Sequence, residues 1–236
     1  MRYETVMDLH THTIASGHAY NTIDEMTRYA GSIGLLNLAI TEHAPQMPGS
    51  SSLLYFTNLG ILPERKYDVN RLFGCEANII GLDGSVDMPQ GLLKKLDIVI
   101  ASFHTPCIKA GTVMENTNAL INVMRNPYIN IIGHPDDSRY PVDMELVVEA
   151  AKEYHTLLEL NNTSLKPSGP RQGARENDIK MLELCKKKDV CISLGSDAHI
   201  EEDICNFTLA QQIIDEVDFP DRLIANTDMD LFNSYI

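Results

Sequence analysis

Two histidines, one residue apart, follow an apolar run near the start of the chain, where residues 7–13 read MDLHTHT. Alternate side chains of a strand point to the same face, so Asp8, His10 and His12 would share one face here. Imidazole and carboxylate groups gathered in this way are suited to bind a transition metal. The stretch therefore predicts a metal site at the end of a first strand.

Later apolar runs end in the same residue types. One histidine at a strand end is more often structural than a metal ligand, but seven of the eight histidines fit this pattern. His155 lies at the start of a run instead, and we interpret it as structural. The candidate ligands are His10, His12, His18, His43, Glu76, His104, His134, Asp197 and His199.

These candidates exceed the four ligands of a tetrahedral zinc, so the sequence predicts more than one metal ion. Imidazole suits zinc, manganese or iron, while carboxylates can bridge two ions and favour harder metals such as manganese. Cys75, next to Glu76, is expected to face away from the site as a small buried side chain. For Cys107 we expect core or loop packing.

Stretches with helical spacing separate the seven β-rich runs, an alternation typical of βα units and a parallel sheet. Seven strands predict a barrel, in which the carboxyl ends of the strands form one face, so that residues distant in sequence meet there. Helices are predicted at residues 22–34, 141–154 and 176–189, and the first carries Thr22 and Glu25 in capping-box positions. Residues 45–67 are too irregular for a plain connection and could form a substrate-facing loop or lid.

Composition narrows the class of protein. A length of 236 residues, with no linker, repeat or low-complexity tract, predicts one domain over residues 1–236. No signal peptide or membrane span is recognisable, and five cysteines without a CxxC pair do not indicate a disulfide framework, so we expect a soluble, cytoplasmic protein. A net charge of −14 disfavours nucleic acid as a partner.

The motifs DLHTHT, TEH, GCEAN, SFH, GHP and GSDAH occur in this order. Together they resemble the PHP family, named for polymerase and histidinol phosphatase, and within it the stand-alone phosphatases of the YcdX type. The resemblance covers nearly the whole chain. It implies a distorted, TIM-like (β/α)7 barrel with a trinuclear metal centre, in which Glu76 and Asp197 are the catalytic carboxylates.

The resemblance also implies how the ligands divide among three divalent ions, with zinc the first choice and manganese or iron as alternatives. Glu76 would bridge two of the ions. The three sets are His10, His12, Glu76 and Asp197; Glu76, His104 and His134; and His18, His43 and His199.

Two arginines are candidates to bind a substrate phosphate. The segment LELNNTSLKPSGPRQGARENDI resembles a part of the stand-alone phosphatases that lies beside the metals. Arg171 and Arg175 could therefore hold phosphate oxygens through paired N–H donors. The alternative is that Arg175 only begins the next helix and that Arg171 is solvated.

The expected function is hydrolysis of a small phosphomonoester by a hydroxide that the metal centre activates. A PHP-type exonuclease or phosphodiesterase and a histidinol-phosphate phosphatase are the alternatives within the family. A metal-dependent amidohydrolase also begins with HxH but often uses a carboxylated lysine where this chain has His104, and a metal-storage protein would not need so complete a ligand set. A homo-oligomer is possible, and no membrane partner is expected.

Overall fold

The computed structural model describes residues 5–169 and 171–236, and its centre is a sheet of parallel strands. Seven strands pair in the order β1-β2-β4-β5-β6-β7-β8, and β3 adds an antiparallel edge to β4. The strands are β1 (Met7–Asp8), β2 (Asn37–His43), β3 (Arg65–Lys66), β4 (Val69–Asn78), β5 (Ile98–Ser102), β6 (Ile131–Ile132), β7 (Leu157–Asn161) and β8 (Ile192–Gly195).

The first and last parallel strands close the sheet into a barrel beyond their regular pairing. Thr11 bridges to Ala198 in parallel, and His12 N donates to Ala198 O at 2.9 Å. Asp197 N donates to His10 O, also at 2.9 Å. The sheet is therefore a nearly closed, distorted barrel of TIM type, and the predicted fold class is confirmed.

Helices cover the outside of the barrel, because their apolar stripes need a partner surface. On α5, for example, Val147, Val148 and Ala151 are buried. In the part of the chain that the structure describes, the α-helices are α1 (Ile23–Ser32), α2 (Leu53–Asn58), α3 (Gln90–Leu93), α4 (Val113–Met124), α5 (Met144–Tyr154), α6 (Ala174–Lys188), α7 (Thr208–Glu216) and α8 (Met229–Asn233). None of these helices combines the length and apolar character needed to cross a membrane.

The predicted helix ends are largely confirmed. Thr22 caps α1 and forms the complete capping box with Glu25. Asp143 accepts from two backbone N–H groups at the start of α5, and three lysines occupy the last turn of α6. Local side chains thus satisfy unpaired backbone N–H groups at the starts of α1 and α5, and the α6 lysines place positive charge at the end of a helix, where its dipole favours cations.

Residues 45–67 are not a plain connection, as predicted, and about half of the segment is regular. It contains α2, a 3-10 turn over Leu59–Ile61 and the short strand β3. Two of its residues reach the carboxyl ends of the strands: Met47 lines a pocket there, and the Tyr55 hydroxyl donates to Glu42 Oε1 at 3.4 Å. A substrate-facing role therefore rests on Met47, which lines the pocket.

The carboxyl ends of the seven parallel strands lie at one mouth of the barrel, and the candidate ligands lie near these ends or in the loops that follow them. His43 is the last residue of β2, and Glu76 lies two residues before the end of β4. The candidates after β1, β5, β6 and β8 each begin two residues beyond the strand end, at His10, His104, His134 and Asp197.

Close strand packing yields a first testable prediction. A Cβ atom at Gly74 would lie 2.1 Å from the backbone oxygen of Ile98 on β5, whereas nothing lies within 4 Å of a Cβ at Gly91 in α3. Gly74→Ala should therefore lower the free energy of unfolding by about 1–3 kcal/mol through overpacking. Gly91→Ala should leave it unchanged or raise it by up to about 1 kcal/mol. Urea denaturation of both variants beside the parent measures this, and equal midpoints for the two would contradict the packing argument.

Candidate metal centre

Glu76 lies at the centre of a buried cluster at the barrel mouth. Within the described residues, imidazole nitrogens from four strand ends lie within 3.5 Å of its two carboxylate oxygens. The nearest are His43 Nδ1 at 2.7 Å from Oε2 and His134 Nε2 at 2.8 Å from Oε1. The other rings of this set are those of His10, His12 and His104.

Asp197 occupies the opposite side of the cluster. Its Oδ1 atom lies 3.3 Å from His12 Nε2 and 3.8 Å from His10 Nε2. His199 Nδ1 lies 3.6 Å from the same oxygen. The His18 ring stands beside His199, with centroids 4.8 Å apart. All nine predicted ligands are thus brought together, although strands and loops from the whole length of the chain supply them.

Three groups of these side chains have ligand atoms within 4.8 Å of one another. Two of the groups share residues with the predicted first and second sets, and the third joins His12 to His43 and His199. The division into three sets therefore stays a prediction. The three groups are His10, His12 and Glu76; His43, Glu76 and His104; and His12, His43 and His199.

Hydrogen bonds on the Nδ1 edge of five of the rings decide which imidazole nitrogen is free for a cation. A carboxylate only accepts, so Glu159 Oε1, 2.6 Å away, fixes the proton of His10 on Nδ1. Ser16 Oγ donates to Glu42 at 2.5 Å and therefore accepts from His12 Nδ1 at 3.0 Å. The two Nε2 atoms lie 3.0 Å apart. Two lone pairs at this distance repel one another unless a cation or a proton lies between them.

Further rings have the same arrangement. The Asn78 amide donates both N–H groups elsewhere, so its Oδ1 accepts from His104 Nδ1 at 2.7 Å. Backbone oxygens accept from His18 Nδ1 at 3.1 Å and from His199 Nδ1 at 2.9 Å. The Nε2 atom of each ring keeps its lone pair. Fixing Nδ1 in this way is how proteins orient imidazoles that bind metals.

Three atoms of the cluster lack a suitable partner among the residues that the structure describes. They are His43 Nδ1, His104 Nε2 and Glu76 Oε2, all buried without a hydrogen bond of acceptable geometry. Buried polar atoms are normally paired, and divalent ions such as zinc accept nitrogen and carboxylate ligands together. The residues present therefore fit divalent metal ions.

The electrostatic environment of the buried cluster around Glu76 favours positive charge. Burial alone would raise the pKa of Glu76, but His104, His10 and His43 outweigh it and hold that pKa well below its usual range. Burial would lower the pKa of His10, yet Glu159 and Glu76 raise it well above its usual value. The carboxylates that favour a proton on His10 would also stabilise a metal cation there.

Two of the predicted ligands have strained backbone. His134 has a φ of 32° and Asp197 a φ of 55°, in a region that residues other than glycine rarely adopt. Hydrogen bonds hold both in place, since His134 N donates to Glu159 and Asp197 N donates to His10 O. Such strain is typical of positions where a side chain must be aimed at a functional site.

Glu159 is a residue of the site that the sequence analysis missed. Besides fixing His10, its carboxylate accepts from His134 N at 2.8 Å and from Asn161 Nδ2 at 3.1 Å. A Cβ at Gly195 would lie 1.8 Å from Glu159 Oε1, so the neighbouring strand leaves room for this carboxylate. The available signal was an acidic residue inside an apolar strand run, LLELN.

Glu42 is a second missed residue, and it acts one step further from the cluster. It lies fully buried and accepts from Ser16 Oγ and Thr13 N. Ser16 Oγ in turn accepts from His43 N and contacts His12 Nδ1. The Glu42 carboxylate therefore sets the orientation of the His12 ring and holds the backbone of His43 through one hydroxyl.

Arg171 lies at the site and Arg175 does not. The Arg171 guanidinium donates to Asp197 Oδ2 from both Nη1 and Nη2, at 3.1 Å each, and its side chain is only 8% exposed. It also donates to Asn161 Oδ1 at 3.2 Å. Arg175 is more than half exposed on the first turn of α6 and pairs with Glu216 of α7. The structure thus brings Arg171 to the cluster and places Arg175 away from it, because Arg171 lies in the loop before α6 whereas Arg175 already belongs to the helix.

The residues interpreted as structural lie away from the cluster. His155 is exposed at the end of α5, and its ring stacks on Tyr235 with centroids 3.9 Å apart. Cys75 is buried in the core and Cys107 is partly exposed in the loop after His104. Asp8, on the first strand, does not point at the cluster, since its carboxylate accepts from Ser196 N and Cys205 N.

A pocket of about 380 Å³ opens onto the cluster. Five of the predicted ligands line it, and they are His18, His43, His104, Asp197 and His199. Arg171 and Lys166 line it too, so cationic side chains face the same space. The arrangement can draw an anionic molecule toward a set of free imidazole nitrogens and carboxylate oxygens.

Comparison with known proteins identifies the family. The family model described as PHP domain matches residues 8–218, a range that includes all nine predicted ligands. The chain belongs to the PHP domain family. The predicted family is confirmed, and a PHP domain accounts for histidines and acidic residues at one barrel mouth.

The PHP domain also has relatives of similar length. A protein of Clostridium novyi described as a probable phosphatase is 48% identical over 236 residues, which is 100% of this chain and 95% of that protein. Another, from Caldicellulosiruptor saccharolyticus, is 48% identical over 231 residues, covering 98% of this chain and 95% of that protein.

Among solved structures, the fold is similar to that of a histidinol phosphate phosphatase from Lactococcus lactis, determined in complex with zinc, L-histidinol and phosphate. The TM-score is 0.66, and the match covers 92% of this chain and 95% of that one. The sequences are 18% identical, so this likeness concerns the fold.

The hydrogen bond from His10 to Glu159 generates a prediction about metal affinity. Glu159→Gln removes the charge that fixes the His10 ring, and loss of such a partner typically weakens metal binding by about 10- to 100-fold. We expect that loss in a zinc titration against a competing chelator. Glu153→Gln on the exposed face of α5 is the matched control and should bind zinc like the parent. Equal affinity in all three proteins would contradict the assignment of Glu159.

Proposed function

We propose that this PHP domain is a metal-dependent phosphatase that hydrolyses a small phosphomonoester at a trinuclear centre. The observation that carries the proposal is the convergence of imidazole nitrogens from four strand ends on the Glu76 carboxylate, beside a pocket lined by Arg171. The relatives described as probable phosphatases support it. So does the fold likeness to a histidinol phosphate phosphatase with bound zinc and phosphate.

The nine ligands would hold the ions in the sets given by the family resemblance, with Glu76 bridging two of them. Divalent ions at such a centre lower the pKa of water to near neutrality and stabilise charge on a transferred phosphoryl group. Zinc is the first candidate from the ligand types, with manganese or iron as alternatives. A nucleophilic side chain is then unnecessary, and the histidines serve as ligands.

Arg171 would bind the substrate phosphate. Asp197 and Asn161 hold its guanidinium in a fixed orientation at the pocket wall. A planar guanidinium offers several N–H donors, so it can contact phosphate oxygens while keeping Asp197 as a partner. Asp197 would remain an ionised ligand, because His10 and Arg171 outweigh burial and hold its pKa well below the usual range.

The geometry favours a small ester over a nucleic acid or another phosphodiester. The pocket of about 380 Å³ lies within the range of pockets that bind small molecules, about 300–1,000 Å³. A net charge of −14 opposes a polyanionic backbone. A panel with p-nitrophenyl phosphate, bis-p-nitrophenyl phosphate, histidinol phosphate and a short DNA strand, each with and without metal, tests this. Faster hydrolysis of a diester or of DNA would contradict the proposal.

Metal content is the first prediction of the proposed function. The purified protein should carry about three divalent ions per chain, since the ligands exceed what one ion can use. Dialysis against a chelator should abolish hydrolysis of p-nitrophenyl phosphate, and zinc or manganese should restore it. Elemental analysis and rates measure both. Full activity with one ion or fewer would contradict the trinuclear centre.

Two variants, Glu76→Gln and the control His155→Ala, extend that experiment. The Glu76 substitution should reduce both metal content and rate, because it removes the carboxylate that contacts the most rings. His155→Ala changes a histidine far from the cluster and should alter neither.

Arg171 and Arg175 yield a second prediction. Arg171→Ala should lower kcat/KM for p-nitrophenyl phosphate by about 10- to 150-fold, the effect of losing a charge-assisted hydrogen bond of about 1.5–3 kcal/mol. Arg175→Ala, which removes only an exposed ion pair with Glu216, should stay within about twofold. Metal content is measured in both, because Arg171 also contacts Asp197. A parent-like rate for Arg171→Ala would leave phosphate binding to the metals alone.

A further inference from the structure

The pocket is larger than the phosphate group that the proposed reaction requires. Its volume is about 380 Å³, and the predicted ligands form one side of it. The remaining lining residues are Met47, Thr163, Lys166, Arg171 and Asp203. Space on that side is available for the group from which phosphate is cleaved, so these residues decide which leaving group fits.

An ion pair forms the outer part of that wall. Lys166 follows the 3-10 turn after β7, and Asp203 ends the 3-10 turn after β8. Lys166 Nζ donates to Asp203 Oδ2 at 2.8 Å across the two loops. The side chains are 34% and 27% exposed, so solutes that enter the pocket can reach both.

The Lys166 ammonium group can donate further hydrogen bonds to a ligand. An ammonium group carries three N–H donors, and in the described part of the chain its hydrogen bond goes to Asp203. A partly exposed ion pair contributes little to stability, so a ligand can share or replace it at small cost. Asp203 meanwhile holds the long lysine side chain at the wall and reduces the entropy lost on binding.

The charges decide between an anionic and a cationic leaving group. Arg171 and Lys166 are cationic, and divalent ions at the proposed centre would add positive charge on the other side of the pocket. An ammonium on the leaving group would be repelled by all of these, and the two aspartates that line the pocket, Asp203 and Asp197, are already paired with Lys166 and Arg171. A carboxylate or second phosphate would be attracted by all of them.

We propose that Lys166 is a specificity-determining residue, and that the substrate is a phosphomonoester whose leaving group carries a second anionic group, a carboxylate or a phosphate. This inference rests on the proposed phosphatase function and adds the substrate class. Arg171 binds the phosphate to be cleaved, and Lys166 binds the second anion at the outer wall.

The test compares three esters with the metal-loaded protein: 3-phosphoglycerate, glycerol 3-phosphate and O-phosphoethanolamine. 3-Phosphoglycerate carries a carboxylate where glycerol 3-phosphate carries a neutral hydroxymethyl group. O-Phosphoethanolamine carries an ammonium group. The parent should prefer 3-phosphoglycerate in kcat/KM. Lys166→Met should reduce the ratio of 3-phosphoglycerate to glycerol 3-phosphate by about 10- to 150-fold, the effect of one charge-assisted hydrogen bond.

Two further variants make the result specific. Lys166→Arg keeps the charge and should retain most of the preference, and Lys187→Met, at the exposed end of α6, should leave the ratio unchanged. The rate with glycerol 3-phosphate shows that Lys166→Met is folded and metal-loaded.

The two proposals fail in different ways. A parent without preference for 3-phosphoglycerate, one that prefers O-phosphoethanolamine, or a Lys166→Met ratio within about twofold of the parent overturns the inference alone. Absence of metal-dependent hydrolysis of every ester overturns the proposed phosphatase function, and the inference with it.

Discussion

The structure depends on one constraint, the burial of imidazole lone pairs and carboxylate oxygens against one another around Glu76. His10 Nε2 and His12 Nε2 lie 3.0 Å apart, and both face the Glu76 carboxylate. Groups of this kind are costly to bury unless positive charge lies among them. Divalent ions would remove the repulsion and bind the residues that cause it, so the same arrangement that costs folding energy creates metal affinity.

A set of ordinary hydrogen bonds keeps this arrangement in place. Glu159, Ser16 and Asn78 each accept a hydrogen bond from the Nδ1–H group of one ring, so that Nε2 of that ring faces the centre of the cluster. Glu42 accepts a hydrogen bond from Ser16 and so orients its hydroxyl. The hydrogen bond from Asp197 N to His10 O joins the two ends of the sheet. The metal centre and the barrel therefore stabilise each other, since several of the bonds that close the barrel involve the candidate ligands.

An acidic protein can still attract an anion if its charges are arranged locally. The net charge of −14 is spread over the chain, whereas the pocket at the barrel mouth presents Arg171 and Lys166 beside the predicted metal ligands. Each cation is held by one carboxylate, Arg171 by Asp197 and Lys166 by Asp203. These pairs fix the positions of the donors that we propose for binding an anionic substrate.

The sequence by itself determined the fold class, the family and the set of residues at the barrel mouth. Strand periodicity and helix caps such as Thr22 with Glu25 are local, and parallel strands bring their carboxyl ends together whatever the connecting loops do. Only the tertiary structure decided which charged groups join them. Arg171 and Arg175 are four residues apart, yet one contacts Asp197 and the other pairs with Glu216. Glu159 and Lys166 likewise gain their roles from neighbouring loops and strands, and contacts of that kind leave no periodic pattern in the sequence.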